Sequence, residues 1–176
     1  MSETTKKHKA GSPEKLNFGI FICSTSRYNQ SKRGGKFKDE SGDLIEKLIK
    51  NSGHNVSFRK LIPDDKVLIE ESVKYALDHP DLDVVVFCGG TGIAPADVTI
   101  ETVSPFFEKV LPGFGEIFRL LSYNEIGSSA VLSRAAAGVV QGKVFFCIPG
   151  SPNAVRFCFE KLILTEAAHI VKHARE

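Results

Sequence analysis

VVVFCGGTGIAPADVTIET, residues 84–102, opens with Val84, Val85, Val86 and Phe87, an apolar run without polar alternation. Such a run reads as a strand covered on both faces within a parallel sheet. It stops at Gly89-Gly90-Thr91-Gly92, where three glycines among four residues let the backbone take positive φ and expose amide N–H groups to an anion. A phosphate fits such a cradle. Asp97 follows just before a helical stretch, so a carboxylate stands beside the cradle where it could hold a cation.

The segments on either side repeat this strand–loop–helix pattern. Asn17–Cys23 (NFGIFIC) reads as a first strand ending at Ser24-Thr25-Ser26, and Val56–Ile62 as a second ending at Pro63-Asp64-Asp65. Val144–Ile148 reads as the last strand, running into Pro149-Gly150-Ser151-Pro152-Asn153. Between them, Asp39–Ser52 places Leu44, Ile45, Leu48 and Ile49 on one helical face, with Gly53 as a stop. A second helix reaches about Leu77 with Ile69, Val73, Ala76 and Leu77 inward, and a third begins at Val98 and is limited by Pro105. The stretch after Leu111-Pro112-Gly113 carries Ile117, Phe118, Leu120 and Leu121 on what reads as a core face. The last helix, from about Pro152, has more apolar residues than one buried stripe requires, so part of it is expected to meet another subunit. Strands alternating with crossover helices give an α/β fold in which the C-terminal strand ends share one rim, where ligands bind.

Composition sets the bounds. A chain of 176 residues, 42% hydrophobic, buries roughly two thirds of its unfolded surface as one domain. Lys and Arg total 23 against 21 acidic residues, without the basic excess of a dedicated nucleic-acid binder. Cys23, Cys88, Cys147 and Cys158 lie in apolar runs without CxxC spacing, which points to a reducing cytoplasm and neither zinc nor disulfides. No apolar run approaches the ~18 residues that cross a bilayer. Met1–Lys15 is polar and reads as a disordered tail, leaving 16–176 as the folded domain.

The candidate residues carry bland readings beside functional ones. Ser24 and Ser26 either bond a phosphate or merely cap a turn, and Asp64 or Asp65 either caps a helix or joins Asp97 in one crevice. Two carboxylates there suit Mg²⁺, which takes one or two carboxylates together with substrate phosphate oxygens. Gly150, Ser151 and Asn153 precede a helix N-terminus that favours anions. Arg27, Lys32, Arg33, Lys36 and Lys38 stud an expected mobile loop able to steer a polyanion, or are solvated charges. Ser133 and Arg134 open a small-residue segment, through Gly138, that lets something pack closely; Glu116 and Arg119 either pair or leave Arg119 for phosphate. No histidine adjoins a glycine-rich rim loop, and Cys88 reads as structural. A Walker ATPase lacks its Lys-Ser or Lys-Thr here, and a nicotinamide dehydrogenase its GxGxxG.

Four ordered motifs, CGGTGIAPADVT, PGFGEIFR, LSRAAAG and IPGSPNAV, resemble the MoaB/MogA family of molybdenum-cofactor biosynthesis proteins from about Leu16 onward. PGFGEIFRLLSYNEIG is most similar to the MoaB branch, whereas Pro63-Asp64 resembles the MogA branch, where an acidic residue at this place supports catalysis. The resemblance implies a three-layer α/β/α sandwich with a mostly parallel, doubly wound sheet, assembled as trimers or hexamers. It implies Mg²⁺-dependent adenylylation of molybdopterin by ATP, with pyrophosphate released and a downstream molybdenum-insertion protein as partner. On that basis Asp64 and Asp97 are the expected catalytic and metal-linked groups, and Gly89, Gly90, Thr91 and Gly92 the phosphate donors. Ser24, Ser26, Ser133, Arg134, Gly150, Ser151 and Asn153 are further binding candidates. A non-catalytic pterin-binding carrier and a flavodoxin-like interaction domain are the competing classes.

Overall fold

A computed structural model describes residues 11–35 and 38–176. Most of the expected N-terminal tail, and Lys36 of the basic loop, lie outside the described residues. Strands β1 (Asn17–Cys23), β2 (Asn55–Ile62), β3 (Val84–Cys88), β4 (Lys109–Val110), β5 (Ala136–Val140) and β6 (Lys143–Ile148) form one sheet in the order β2-β1-β3-β6-β5-β4. The pairs β1–β2, β1–β3 and β3–β6 are parallel, while β5 and β4 extend the sheet antiparallel. From β1 the chain winds outward to β2 and then returns past β1 to β3, so the crevice between the ends of β1 and β3 is the topological switch point.

The helices are α1 (Thr25–Lys32), α2 (Glu40–Asn51), α3 (Lys66–Leu77), α4 (Thr99–Val103), α5 (Pro112–Ile126), α6 (Pro152–Phe157) and α7 (Leu164–Ala174). The alternation of a strand sorts the core into two layers. On β3, Val84, Val86 and Cys88 face a cluster with Ile45 and Ile49 of α2, Phe114 and Phe118 of α5, and Val155 of α6. Val85 and Phe87 face the opposite cluster, with Ile69, Val73 and Ala76 of α3 and Val103 of α4. A three-layer α/β/α sandwich results.

Local chemistry sets the element ends. Asp39 caps α2 by accepting from the Gly42 amide at 3.1 Å, and Asp65 caps α3 by accepting from the Leu68 amide at 3.0 Å. The cap reading therefore holds for Asp65 and not for Asp64. Pro105 does limit its helix: α4 passes into a 3₁₀ turn at Ser104–Phe106. What approaches the small-residue segment is an aromatic ring, since a methyl group on Gly138 would lie 2.3 Å from the Phe107 ring.

Two expectations are corrected. Residues 25–32 are helical, not loop; Ser24 starts the helix, and none of its residues is buried. Ile117 and Leu120 of α5 are exposed instead of core, and Leu120 shares a shallow surface hollow with Tyr123 and Val131. The final helical segment buries the stripe Val155, Phe159, Ile163, Ala167 and Val171 completely or nearly so, while Phe157, Leu162, Leu164 and Ile170 beside it stay half-buried. An α-helix drifts about 40° for every four residues, so five side chains at that spacing would wind off one face. A π-helical stretch, Cys158–Ile163, joins α6 to α7, and its wider turns take back much of that drift.

Candidate active site

The loop after β3 is shaped by what lies underneath it. Gly89 and Gly90 have φ of 111° and 61°. A methyl on Gly89 would stand 2.2 Å from the Cys23 carbonyl oxygen, and one on Gly90 would stand 2.5 Å from Thr99 Oγ1 and 2.6 Å from Asp64 Oδ1. Both positions thus exclude a side chain for conformational and for spatial reasons. Gly92 makes room for Asp97, whose Oδ2 would lie 2.6 Å from an added methyl. Asp97 Oδ2 accepts from the Ala94 amide at 2.9 Å, which closes the loop on itself.

The Gly89 amide is not free for phosphate, because it donates to the Ile148 carbonyl at 2.9 Å. Among the described residues, no hydrogen bond engages the amides of Gly90, Thr91 or Gly92. The anion cradle is therefore three residues long, one place later than its first glycine.

These loops open on a cavity of about 550 Å³, within the size range of small-molecule sites. Gly89, Gly90, Thr91, Gly92, Asp97, Ser24, Ser133, Arg134, Gly150, Ser151 and Asn153 all line it, so eleven of the thirteen expected residues converge. Ser24 and Ser151 do so while also capping helices, Ser24 accepting from the Arg27 amide at 3.5 Å and Ser151 from the Ala154 amide at 3.3 Å. The other two stand just outside. Ser26 is exposed and reaches only Ser24, at 3.3 Å between hydroxyls.

Asp64 lies beneath the loop instead of on the cavity wall. Its Oδ2 accepts from the Thr25 amide at 2.8 Å and the Thr25 hydroxyl at 2.9 Å, which ties the end of β2 to the start of α1. Its Oδ1 is buried without a hydrogen-bond partner, as is Thr99 Oγ1, and both sit under Gly90. A buried carboxylate oxygen with no donor is costly, so this spot suits a cation. Asp64 Oδ1 lies against Gly90 and Asp97 Oδ2 against Gly92 of the same loop.

The electrostatics of the wall come from two arginines. Arg134 is hydrogen-bonded to Glu101. Burial is the largest single influence and works to raise the Glu101 pKa, yet the bond and charge of Arg134, a backbone hydrogen bond and the charge of Lys66 together hold the carboxyl below the ordinary value. Arg27, expected on a loop as a steering or a solvated charge, is a cavity residue. Its Nη1 lies 3.3 Å from Asp39 Oδ1, and Arg59 approaches the same buried carboxylate at 3.6 Å. The Ser41 hydroxyl donates to the Gly150 carbonyl at 2.6 Å, locking the start of α2 to the β6–α6 loop. Arg119 faces away from this cavity, along the exposed α5 surface, and makes no ion pair with Glu116 among the described residues. Phe118, Ile126, Leu132 and Phe157 form an apolar wall suited to a flat ring, a contribution that no motif in the sequence announced.

Cys23 and Cys88 also reach the cavity, but burial pushes the Cys23 thiol up to about 12 and raises Cys88, Cys147 and Cys158 as well. None is a thiolate nucleophile at neutral pH. A thiol-exchange reagent such as DTNB at pH 8 is expected to leave all four unreactive in the native protein and to count four in urea; rapid native labelling would contradict their burial.

Comparison with known proteins bears directly on this cavity. Residues 19–169 match the family model described as a probable molybdopterin binding domain. The chain is 40% identical over 174 residues to molybdenum cofactor biosynthesis protein B of Bacillus subtilis, covering 98% of each chain. It is 42% identical over 161 residues to the probable molybdopterin adenylyltransferase of Methanocaldococcus jannaschii, covering 92% of this chain and 95% of that one. The crystal structure of the tungsten cofactor synthesizing protein MoaB from Pyrococcus furiosus superimposes with a TM-score of 0.82 at 40% identity, over 94% of this chain and all of that one.

Proposed function

The chain belongs to the molybdopterin-binding family of molybdenum-cofactor biosynthesis proteins, and from that premise we infer that its cleft joins ATP to molybdopterin. It is a molybdopterin adenylyltransferase. An oxygen of the pterin's terminal phosphate forms a bond to the α-phosphorus of ATP, the bond from that phosphorus to the β-phosphate oxygen breaks, and pyrophosphate leaves. The observation that carries this reading is the coincidence, in one cavity at the switch point, of three unengaged amides, Asp97 and an apolar wall.

Nucleotidyl transfer needs positioning and charge neutralisation more than a protein nucleophile, and the residues present match that demand. Gly90, Thr91 and Gly92 donate to one phosphate. The helix start at Ser151-Pro152-Asn153, together with Ser24, is available to another, and Arg27 and Arg134 offset the accumulated negative charge. Phe118 and Phe157 take the flat face of a ring. The donor set also fits Mg²⁺, since the unpartnered Oδ1 of Asp64 and the carboxylate of Asp97 flank the phosphate loop. Those two aspartates would hold the ion, which supplies charge neutralisation on the phosphates when bound.

Pyrophosphate release by the purified protein with Mg-ATP and molybdopterin tests the proposal. Release that depends on both substrates is expected. Binding of molybdopterin with no release would mark a carrier instead, and indifference to ATP an interaction domain.

The same reading makes the chain a trimer or hexamer, and the exposed apolar residues of α5 and residues 127–132 support it. Leu120, Tyr123 and Val131 are 60%, 60% and 80% exposed, a grouping that a monomer rarely leaves to water. Leu120→Glu combined with Val131→Glu is expected to dissociate the assembly in light scattering, with far-UV circular dichroism unchanged. A wild-type monomer would refute the assignment. No helix among the described residues is long and apolar enough to cross a membrane, and four free buried cysteines suit a reducing cytoplasm. There the adenylylated pterin would pass to a molybdenum-insertion protein.

A further inference from the structure

His169 and His173 stand one turn apart on α7, and their Nε2 atoms face each other at 3.1 Å. Each ring is oriented from behind by a carboxylate: His169 Nδ1 lies 3.3 Å from Glu166 Oε2, and His173 Nδ1 lies 2.6 Å from Glu176 Oε2. A carboxylate accepts, so it fixes the proton on Nδ1 and leaves the Nε2 lone pair outward. With both rings held this way, two lone pairs share one gap. Such a pair is stable only with something positive shared between them.

A metal ion can supply that charge. Two nitrogens bound at about 2.0–2.1 Å to one ion, with an angle between right and tetrahedral, stand about 2.9–3.4 Å apart, and the observed spacing lies inside that range. Carboxylate–imidazole–metal relays are the usual arrangement of histidine ligands. The pair also opens on space for the rest of a coordination shell. Both rings line a cavity of about 480 Å³ between α7 and the β4–β5 edge, with Glu108 and Lys109 on the facing wall.

We propose that His169 and His173 form a surface site for a borderline divalent transition ion, of the Zn²⁺, Ni²⁺ or Cu²⁺ class, with water filling the remaining positions. Imidazole nitrogen favours these ions over Mg²⁺ or Ca²⁺, so the site is chemically distinct from the carboxylates of the cleft. It is also remote from them. Val139, on the wall of this cavity, pairs with Val144 near the start of β6, whereas the cleft lies beyond Ile148. Four residues of strand separate the two levels by about 13 Å.

Isothermal titration of the untagged full chain with zinc chloride and with nickel chloride tests the site. One ion per chain is expected. His169→Gln and His173→Gln are each expected to abolish binding, and Glu176→Gln to weaken it about 10- to 100-fold, with pyrophosphate release unchanged in all three. Protection of the wild-type imidazoles from diethylpyrocarbonate by zinc gives a second readout that needs no variant. Undiminished binding in the double histidine variant would place the ion elsewhere and overturn the proposal. So would the absence of both heat and protection in the wild type, which would leave a shared proton as the bridging charge.

Discussion

Replacing Asp97 with Asn is expected to slow pyrophosphate release about 100-fold or more while the protein melts at its usual temperature. The carboxylate lines the cavity, and only one of its oxygens is spoken for, by the Ala94 amide. Asn can keep that bond and the loop closure while losing the charge. Removing a single preorganised electrostatic group from a transfer site costs about 10²–10³ in rate. Asp64→Asn is the sharper companion experiment. Its amide oxygen can still accept from Thr25, and its NH₂ then falls beside Thr99 Oγ1, which has no partner in the native protein. A structural role for Asp64 predicts unchanged or slightly raised stability and unchanged turnover. A catalytic role predicts the same stability with nearly all adenylyl transfer gone. Steady-state release together with thermal melting separates the two, and full activity in both variants would remove the aspartates from the mechanism.

Gly89→Ala should be the most destabilising single methyl in the molecule, at about 4 kcal/mol. The backbone there is held at φ 111° by the Gly89 amide bond to Ile148, a conformation that costs an L-residue about 1–3 kcal/mol. The new methyl would also lie 2.2 Å from a carbonyl oxygen of β1. That neighbour is backbone in a central strand and cannot rotate away, so overpacking adds about 1–3 kcal/mol. Urea unfolding measures the loss directly. Gly113→Ala is the control, because a methyl there meets nothing within 4 Å. A Gly89 variant as stable as that control would mean that the loop can move off β1.

The parts of this architecture that the chain announces are those with a strong period or a strong breaker. β1, β3 and α2 are readable to within a residue or so because their apolar runs end at Ser24, Gly89 and Gly53, and each ending is a physical event in the backbone. The helix at 25–32 escaped notice because TSRYNQSK buries nothing, so no stripe betrays it; its one signal was Ser24 in a capping position. Short antiparallel edges are equally quiet. Ala136–Val140 is five small or β-branched residues, and only the pairing with β6 shows it to be a strand. The mistake over Leu120 has a different origin, because hydrophobic periodicity reports which side avoids water and is silent about whether the cover belongs to the same chain. The misplacement of Asp64 is geometric: sequence brings it to the correct rim but cannot say that a glycine will lie on top of it. Arg27 was hidden by its neighbours, one of five basic residues whose joint reading as a mobile loop concealed that a buried carboxylate steers Arg27 to the wall.

The π-helical stretch at Cys158–Ile163 has a mechanical corollary. Its loosened winding accommodates surplus chain within an otherwise α-helical rod, and trimming one amino acid there would tighten it toward ordinary α geometry. The six residues of this stretch, wound as a π-helix, turn through about the same angle as five wound as an α-helix, so the deletion would be absorbed where it is made. Val171 would stay in the interior and the two imidazoles in their groove. One codon of slack is therefore built into this short span, whereas the same deletion within α7 would swing everything beyond it by about 100°.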